Sequence, residues 1–335
     1  MNSVHSVHFV HSVHGSTEAR TTNGPGVRVE EVPCLACGSR RSRPLLVAED
    51  DLTGKPGRFP FVVCAECGLA YQSPRVELGS IKLYYDDEYI AHRKKRSWGP
   101  LGFLVDRALD RLDRRKLELV ARWVDLRRPG AALDVGCGAG TFLRKLQSLH
   151  GFHPVGVDFV DLSQLPGFDT LEFHCGLFYD VEVGRERFEL ITMWHFLEHD
   201  YDPARSLRRA REALKPDGRL VIEVPRLDSL SYRLYGDRWP GLQAPQHTVL
   251  FSKETLLRQL EKSGLEVLEY LPYGAYPAYF YLFAGAAFKV LKGRGLDLRR
   301  AVVPYFLGQV LLAPLLVFER RLNLAMQTVV CGRRA

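Results

Sequence analysis

The sequence predicts an α/β fold: a mostly parallel sheet with helices on both faces, a small cysteine-bearing module ahead of it, and an apolar helical insertion near the C-terminus. Three observations carry this expectation. From Ala131 onward, short apolar runs alternate with stretches of helical period. Ahead of them stand two Cys-x-x-Cys pairs, Cys34/Cys37 and Cys64/Cys67. Behind them lie two uncharged stretches, Tyr270 to Phe288 and Ala301 to Phe318.

The 335 residues, 46% hydrophobic and 25% charged, suit one large domain and a smaller one. A net charge of +7 favours acidic partners such as phosphates, nucleic acid or anionic headgroups without choosing among them. The seven cysteines do not form a secreted disulfide framework; two C-x-x-C pairs and three scattered residues fit a reducing compartment and a metal site. Residues 1–27 read as a disordered tail. There Met1 to Gly15 repeats Ser-Val-His, with His5, His8, His11 and His14 at intervals of three. The tract lacks the marks of a signal peptide and reads as a tail or a misassigned start, with metal binding as the alternative. The divisions expected are this tail, a module over 28–85, a helical linker over 86–128, and a main domain over 129–335 that contains the insertion at 271–320.

Apolar residues from Leu104 to Val124 recur at helical spacing, predicting helix over Leu101 to Leu126 whose arginines form a solvated face. Strands are expected at Ala131–Val135, Pro154–Asp158, Thr170–Phe173, Phe188–Met193, Arg219–Val224, Leu265–Leu271 and Ala325–Cys331. Helices are expected over Thr141–His150 and Ala204–Leu214, and from Ser252. The prolines at 272, 277, 304 and 314 interrupt the apolar stretches, which favours a lid or an interfacial hairpin over membrane-spanning helices.

The run Asp134-Val-Gly136-Cys137-Gly138-Ala-Gly140-Thr141 takes a strand through a glycine turn into a helix. Glycines let backbone approach a ligand, and the helix N-terminus offers free N–H groups to an anion. Asp158 closes the next strand twenty residues beyond Gly138, where a carboxylate accepts from both ribose hydroxyls. A nicotinamide dehydrogenase shares that aspartate but expects G-x-G-x-x-G, and Thr141 stands at the last glycine.

These segments resemble the class I, Rossmann-like, S-adenosylmethionine-dependent methyltransferases. Leu133–Gly140 matches their first motif and Val155–Asp158 their second. Phe188–His199, with its Leu-Glu-His ending, and the turn Leu214–Leu220 resemble the fourth- and fifth-strand motifs. Trp239, Pro245–His247 and Phe251–Ser252 are similar to a stretch of the quinone-biosynthesis O-methyltransferases. The resemblance implies that Asp134, Gly136, Cys137, Gly138 and Gly140 hold the methionine end, and that Asp158 holds the ribose with Phe159 beside it. It places Cys175-Gly176 near the adenine and Met193, Trp194 and His195 along the cofactor.

His195-Phe-Leu-Glu198-His199 reads H-x-x-E-H, which on a helix sets both imidazoles and the carboxylate on one face. Base catalysis, a divalent ion and a structural hydrogen bond are the readings, and the spacing also occurs in inverzincin peptidases. Methyl transfer needs an aligned acceptor and, for a hydroxyl or acidic carbon, a base; His195, His199 and His247 are the candidates.

The knuckles Cys34-x-x-Cys37-Gly38 and Cys64-x-x-Cys67-Gly68 are separated by twenty-six residues and predict tetrahedral structural zinc, with rubredoxin-like iron as the alternative. Joined to this core, they resemble a bacterial group of small-molecule methyltransferases, some of which methylate deoxysugar carbons. The expected function is methyl transfer to an O or C atom of a small or lipid-linked molecule: a sugar, a quinone-like phenol or a cell-envelope precursor. The place expected is the cytoplasm, with peripheral contact at the inner face of the membrane. A zinc-ribbon RNA methyltransferase is weakly supported by the basic run at Arg93–Arg96, and no Asn-Pro-Pro-Tyr motif follows the fourth strand. A non-catalytic cofactor-binding scaffold is the third reading.

Overall fold

The computed structural model describes residues 26–85, 102–316, 318–319 and 321–334. The His-rich repeat and the basic run at 93–96 lie outside the described residues.

The N-terminal part contains β1 (Val29–Glu30), β2 (Ser42–Ala48), β3 (Phe59–Cys64), β4 (Ala70–Gln72), β5 (Arg75–Val76) and the short α1 (Leu78–Ile81). Helix α2 (Gly102–Val120) follows, ending earlier than the apolar period suggested because residues 121–124 turn. The core then runs β6 (Ala131–Val135), α3 (Thr141–His150), β7 (His153–Asp158), β8 (Glu172–Cys175), β9 (Phe188–Trp194), α4 (Pro203–Ala213) and β10 (Leu214–Pro225). It continues with α5 (Leu230–Tyr235), β11 (Val249–Leu250), α6 (Lys253–Lys262) and β12 (Leu265–Leu271). The paired helices α7 (Ala278–Leu291) and α8 (Leu298–Leu316) precede the final strand β13 (Met326–Arg333).

Seven strands form the central sheet in the order β12-β13-β10-β9-β6-β7-β8. The run β8, β7, β6, β9 and β10 is parallel, whereas β13 inserts antiparallel between β10 and β12. Strand β6 is apolar apart from Asp134 and buried along almost its whole length, as a central strand covered on both faces must be. Helix starts follow local chemistry. Asp202 caps α4 with Pro203 at the first turn, and Ser252 and Thr255 form a reciprocal capping box on α6. Two elements shift from expectation. The third strand begins at Glu172 because Phe168–Thr170 forms a tight 3-10 turn, and the predicted turn at Lys215–Gly218 is a register shift inside β10. Pro304 and Pro314 lie inside α8 rather than ending it, while Pro277 precedes α7. Among the described residues, no helix is long and apolar enough to cross a membrane.

The cysteine module shares its sheet with the core. Its strands form a four-stranded sheet, β11-β4-β3-β2, whose first member, β11, comes from the segment after His247. Gln72 Nε2 donates to the carbonyls of Pro245 (3.0 Å) and His247 (2.6 Å), and Arg258 donates to the Cys67 carbonyl at 2.9 Å. Arg75 reaches the Tyr201 carbonyl at 2.9 Å and lies over the Tyr201 ring. The module is thereby fastened to the loop after β9 and to the loop before β11.

Candidate active site

The strand order reverses between β6 and β9, and the C-terminal ends of these strands open onto a cavity of about 1090 Å³. Such a crevice is where open α/β sheets bind ligands. At its sheet end the glycine turn runs with Gly136, Gly138 and Gly140 all at positive φ. A β-carbon at Gly138 would meet no atom within 4 Å, so the turn presents bare backbone to the cavity. Asp158 reaches back across the turn: its carboxylate accepts from Gly138 N (3.0 Å) and Val160 N (3.1 Å). Burial leaves Trp194 Nε1 without a hydrogen-bond partner among the described residues, although its ring lines the same cavity.

Of the residues expected to contact a cofactor, Gly136, Cys137, Gly138, Asp158, Phe159, Trp194 and His195 line this cavity. Asp134, Gly140 and Met193 do not. Asp134 is buried behind the turn, accepts from Thr192 Oγ1 at 2.6 Å, and has its pKa pushed up to about 7 by burial despite the Lys116 charge. Met193 packs into the core beneath the sheet. Gly140 caps α3 from the left-handed region. Gly176 lines the cavity, while Cys175 is exposed with Sγ toward the Phe159 carbonyl.

The H-x-x-E-H segment is not helical. His195 sits at φ 54° at the end of β9, and residues 197–199 form a turn. The turn still gathers charge, because Glu198 is buried under the histidines. His195 is held between two buried carboxylates, with Nδ1 3.3 Å from Glu198 Oε1 and Nε2 3.2 Å from Glu223 Oε1. Burial opposes its charge, but the two carboxylates outweigh burial and raise its pKa to about 9. The two carboxylates thus favour the cationic form of His195, which suits it less to proton abstraction than the other two histidines.

His199 and His247 behave oppositely. Burial lowers both pKa values, helped for His199 by the neighbouring imidazoles. His247 Nδ1 lies 2.8 Å from the Gly241 carbonyl, and His199 Nδ1 lies 3.1 Å from the Gln246 carbonyl and 2.9 Å from the Tyr85 hydroxyl. A carbonyl accepts only, so each Nδ1 carries the hydrogen and each Nε2 keeps its lone pair. The ligand-type atoms of Glu198, His199 and His247 lie within 4.8 Å of one another. His195, His199 and His247 all line the cavity.

Sequence reasoning missed four contributors. Lys116 projects from α2 into the cavity, with its ammonium 5.3 Å from the Trp194 ring centre and 3.9 Å from Asp113. Helical spacing had assigned its neighbours to a solvated face. Glu223, on β10, binds His195 and accepts from Ala275 N (2.6 Å) and Tyr276 N (2.9 Å), joining β9 to the segment that enters α7. Tyr85 and Gln72 act through contacts made across more than a hundred residues of chain, for which no local pattern exists. Tyr276, Phe280, Tyr281, Phe283, Tyr305 and Phe306, from α7, α8 and the loop before them, also line the cavity.

The four cysteines converge. Cys34 Sγ and Cys67 Sγ are 3.4 Å apart, Cys37 Sγ and Cys64 Sγ are 3.6 Å apart, and none is in a disulfide. Gly38 and Gly68 turn back with positive φ, so that their N–H groups donate to the Cys34 and Cys64 carbonyls. These are two equivalent knuckles.

A family model described as a methyltransferase domain matches residues 106–270. The chain is similar to a ubiquinone biosynthesis O-methyltransferase of Nitrobacter winogradskyi, 28% identical over 192 residues covering 52% of this chain and 71% of the relative. It is likewise similar to one of Coxiella burnetii, 28% identical over 188 residues covering 51% of this chain and 77% of the relative. Among solved structures, an S-adenosylmethionine-dependent methyltransferase from Mesorhizobium loti aligns with 17% identity and a TM-score of 0.45, covering 65% of this chain and 98% of that one. Family match, relatives, sheet order and glycine turn agree: residues 106–270 are a methyltransferase domain of the class I, S-adenosylmethionine-dependent kind, and a four-cysteine cluster lies N-terminal to it.

Proposed function

We propose that this enzyme methylates an oxygen or carbon atom of a bulky, partly apolar acceptor, either a small molecule or a lipid-linked one such as a sugar carrier, a quinone-like phenol or a cell-envelope precursor. The cavity carries the proposal. At about 1090 Å³ it exceeds the usual range for one drug-sized ligand, so it has room for the cofactor and a second molecule. Its lining is mixed in chemistry: bare backbone and Asp158 from the strand ends, and six aromatic rings from α7, α8 and the loop before them. The O-methyltransferase relatives lend support to a phenolic acceptor.

S-adenosylmethionine fits the sheet end. Gly138 offers room for close approach, Asp158 the ribose acceptor, and the unpartnered Trp194 Nε1–H a donor. Lys116 supplies positive charge for the methionyl carboxylate. The cofactor brings the electrophilic methyl group; the protein aligns the acceptor and takes its proton. His199 and His247 are the proton acceptors, held neutral by burial and oriented by backbone carbonyls. The His195 cation lies beside them and favours a developing anion on the acceptor.

Changing His199 or His247 to asparagine is expected to lower kcat by roughly 10²–10⁴ while leaving cofactor affinity within a few-fold. Because both folded pKa values lie below 6.5, the wild-type acid limb of kcat/KM should fall below pH 6.5. A limb above pH 7 would exclude these bases. The acceptor itself is tested by incubating the enzyme with methyl-labelled cofactor and fractionated cell extract. Label in an apolar or lipid fraction supports the proposal, and label only in RNA overturns it.

For the cysteine cluster we propose structural zinc. A tetrahedral site with Zn–S bonds of about 2.3 Å needs sulfurs about 3.8 Å apart, close to the 3.4 and 3.6 Å found here. Three of the four thiols are buried and the pocket that Cys67 lines holds only about 10 Å³, too little for a substrate, which suits a closed structural site.

A further inference from the structure

Helix α8 has two apolar faces, and only one is used by the fold. Ala301, Val302, Tyr305 and Phe306 face the cavity. Val303, Leu307, Val310 and Leu311, at helical spacing on the other side, are 47%, 61%, 72% and 79% exposed. No charged residue occurs between Ala301 and Leu316, and Phe318 and Leu322 extend the exposed apolar surface beyond the helix. An aqueous surface rarely keeps such a contiguous patch uncovered.

The charges bordering the patch identify what covers it. The last turn of α7, the connector after it and the first turn of α8 expose Lys289, Lys292, Arg294, Arg299 and Arg300 against one acid, Asp297, which pairs with Arg300. A basic cluster beside an apolar helix face, on a helix that does not cross a bilayer, matches an anionic lipid surface: leucines enter the acyl boundary and arginines meet the headgroups. A soluble protein partner would need acidic groups around an apolar centre, and nothing else in the structure calls for one.

We infer that the outer face of α8 docks on an anionic membrane surface. Its inner face then places the aromatic lining of the cavity against the bilayer, so an acceptor embedded in lipid reaches the site along the helix that binds the membrane. The docking stands apart from the identity of the acceptor and is read without any methyl transfer.

The test is flotation of the full chain with vesicles of phosphatidylcholine alone and of phosphatidylcholine with phosphatidylglycerol. The expected result is binding to the anionic vesicles that falls at least tenfold in L307E/L311E and severalfold in R299E/R300E or in high salt. These side chains do not line the cavity, so circular dichroism and S-adenosylhomocysteine affinity should match wild type and certify the fold. Wild-type protein that fails to float, or L307E/L311E protein that floats equally, overturns the inference. So does a wild-type dimer that L307E/L311E makes monomeric without any vesicle binding, which would assign the face to a second copy of the chain. A soluble acceptor together with vesicle binding would refute the lipid-linked acceptor and leave the docking intact.

Discussion

Removing the metal from the four-cysteine cluster, or changing Cys34 to serine, is expected to disorder the catalytic loop as well as the module. Structural zinc in small sites supplies about 10–16 kcal/mol of apparent folding free energy. The segment over 28–85 has its own small core around Phe59, Phe61 and Tyr84, yet that core includes Trp239, Leu242 and Tyr281 from the main domain. Cys34, Cys64 and Cys67 themselves pack into the cluster that contains Val249, Phe251 and Met193. On the zinc proposal, losing the ion takes the anchor from β3 and β4, and β4 is what holds β11 and the carbonyls of Pro245 and His247. The expected outcome is loss of one equivalent of metal linked to stability: zinc released on chelation, a melting temperature lowered by more than ~10 °C, and S-adenosylhomocysteine binding weakened although no cysteine of the cluster lines the cavity. Elemental analysis with calorimetric melting checks it. Unchanged melting after complete metal removal would show that the module needs no ion, and iron in place of zinc would correct its identity.

The second large effect concerns His195. Asparagine is the replacement of choice because the residue sits at φ 54°, a region asparagine tolerates better than most side chains. H195N keeps the backbone and removes the cation between Glu198 and Glu223, both almost fully buried. Leaving buried charge uncompensated costs about 3–5 kcal/mol. Neither Glu198 oxygen makes a well-aligned hydrogen bond among the described residues, so the 3.3 Å ion pair to His195 is its main compensation. Glu223 also holds Ala275 N and Tyr276 N, so the loss reaches the start of α7.

The pH dependence has a defined sign. With a folded pKa of about 9 against 6.5 unfolded, the folded state binds the extra proton between these values. The His195 contribution is therefore complete below pH 6.5 and fades as pH rises toward 9. Wild-type stability should fall across that window, and H195N should be less stable at pH 6.5 and flatter up to pH 9. Denaturant titrations at pH 6.5, 7.5 and 9 measure this. Equal slopes for the two proteins would contradict the paired cation.

Much of the core was legible because its signals are local. The glycine turn, the buried run of β6 and the aspartate ending β7 each announce themselves within ten residues, and the helices over Thr141–His150 and after Ser252 carry their own caps. The H-x-x-E-H spacing was weighed as it would fall on a helix; nothing in it signals the left-handed turn at His195, and the second carboxylate, Glu223, comes from β10, twenty-eight residues away. The same reason hid Glu223, Tyr85 and Gln72. The prolines pointed away from a spanning helix, as found among the described residues, but gave no sign that α8 runs on through Pro304 and Pro314, where Tyr305 packs against Tyr279 and Phe283. The module was read as separate because sequence cannot show that β11 completes its sheet.

The central claim is that the glycine turn and Asp158 clasp S-adenosylmethionine. Titration calorimetry of the metal-replete full chain with S-adenosylhomocysteine tests it most directly, beside D158A and beside NAD. The account predicts saturable one-to-one binding by wild type, at least tenfold weaker binding by a folded D158A, and no heat from the dinucleotide. Tight dinucleotide binding with no uptake of the adenosyl ligand would contradict it.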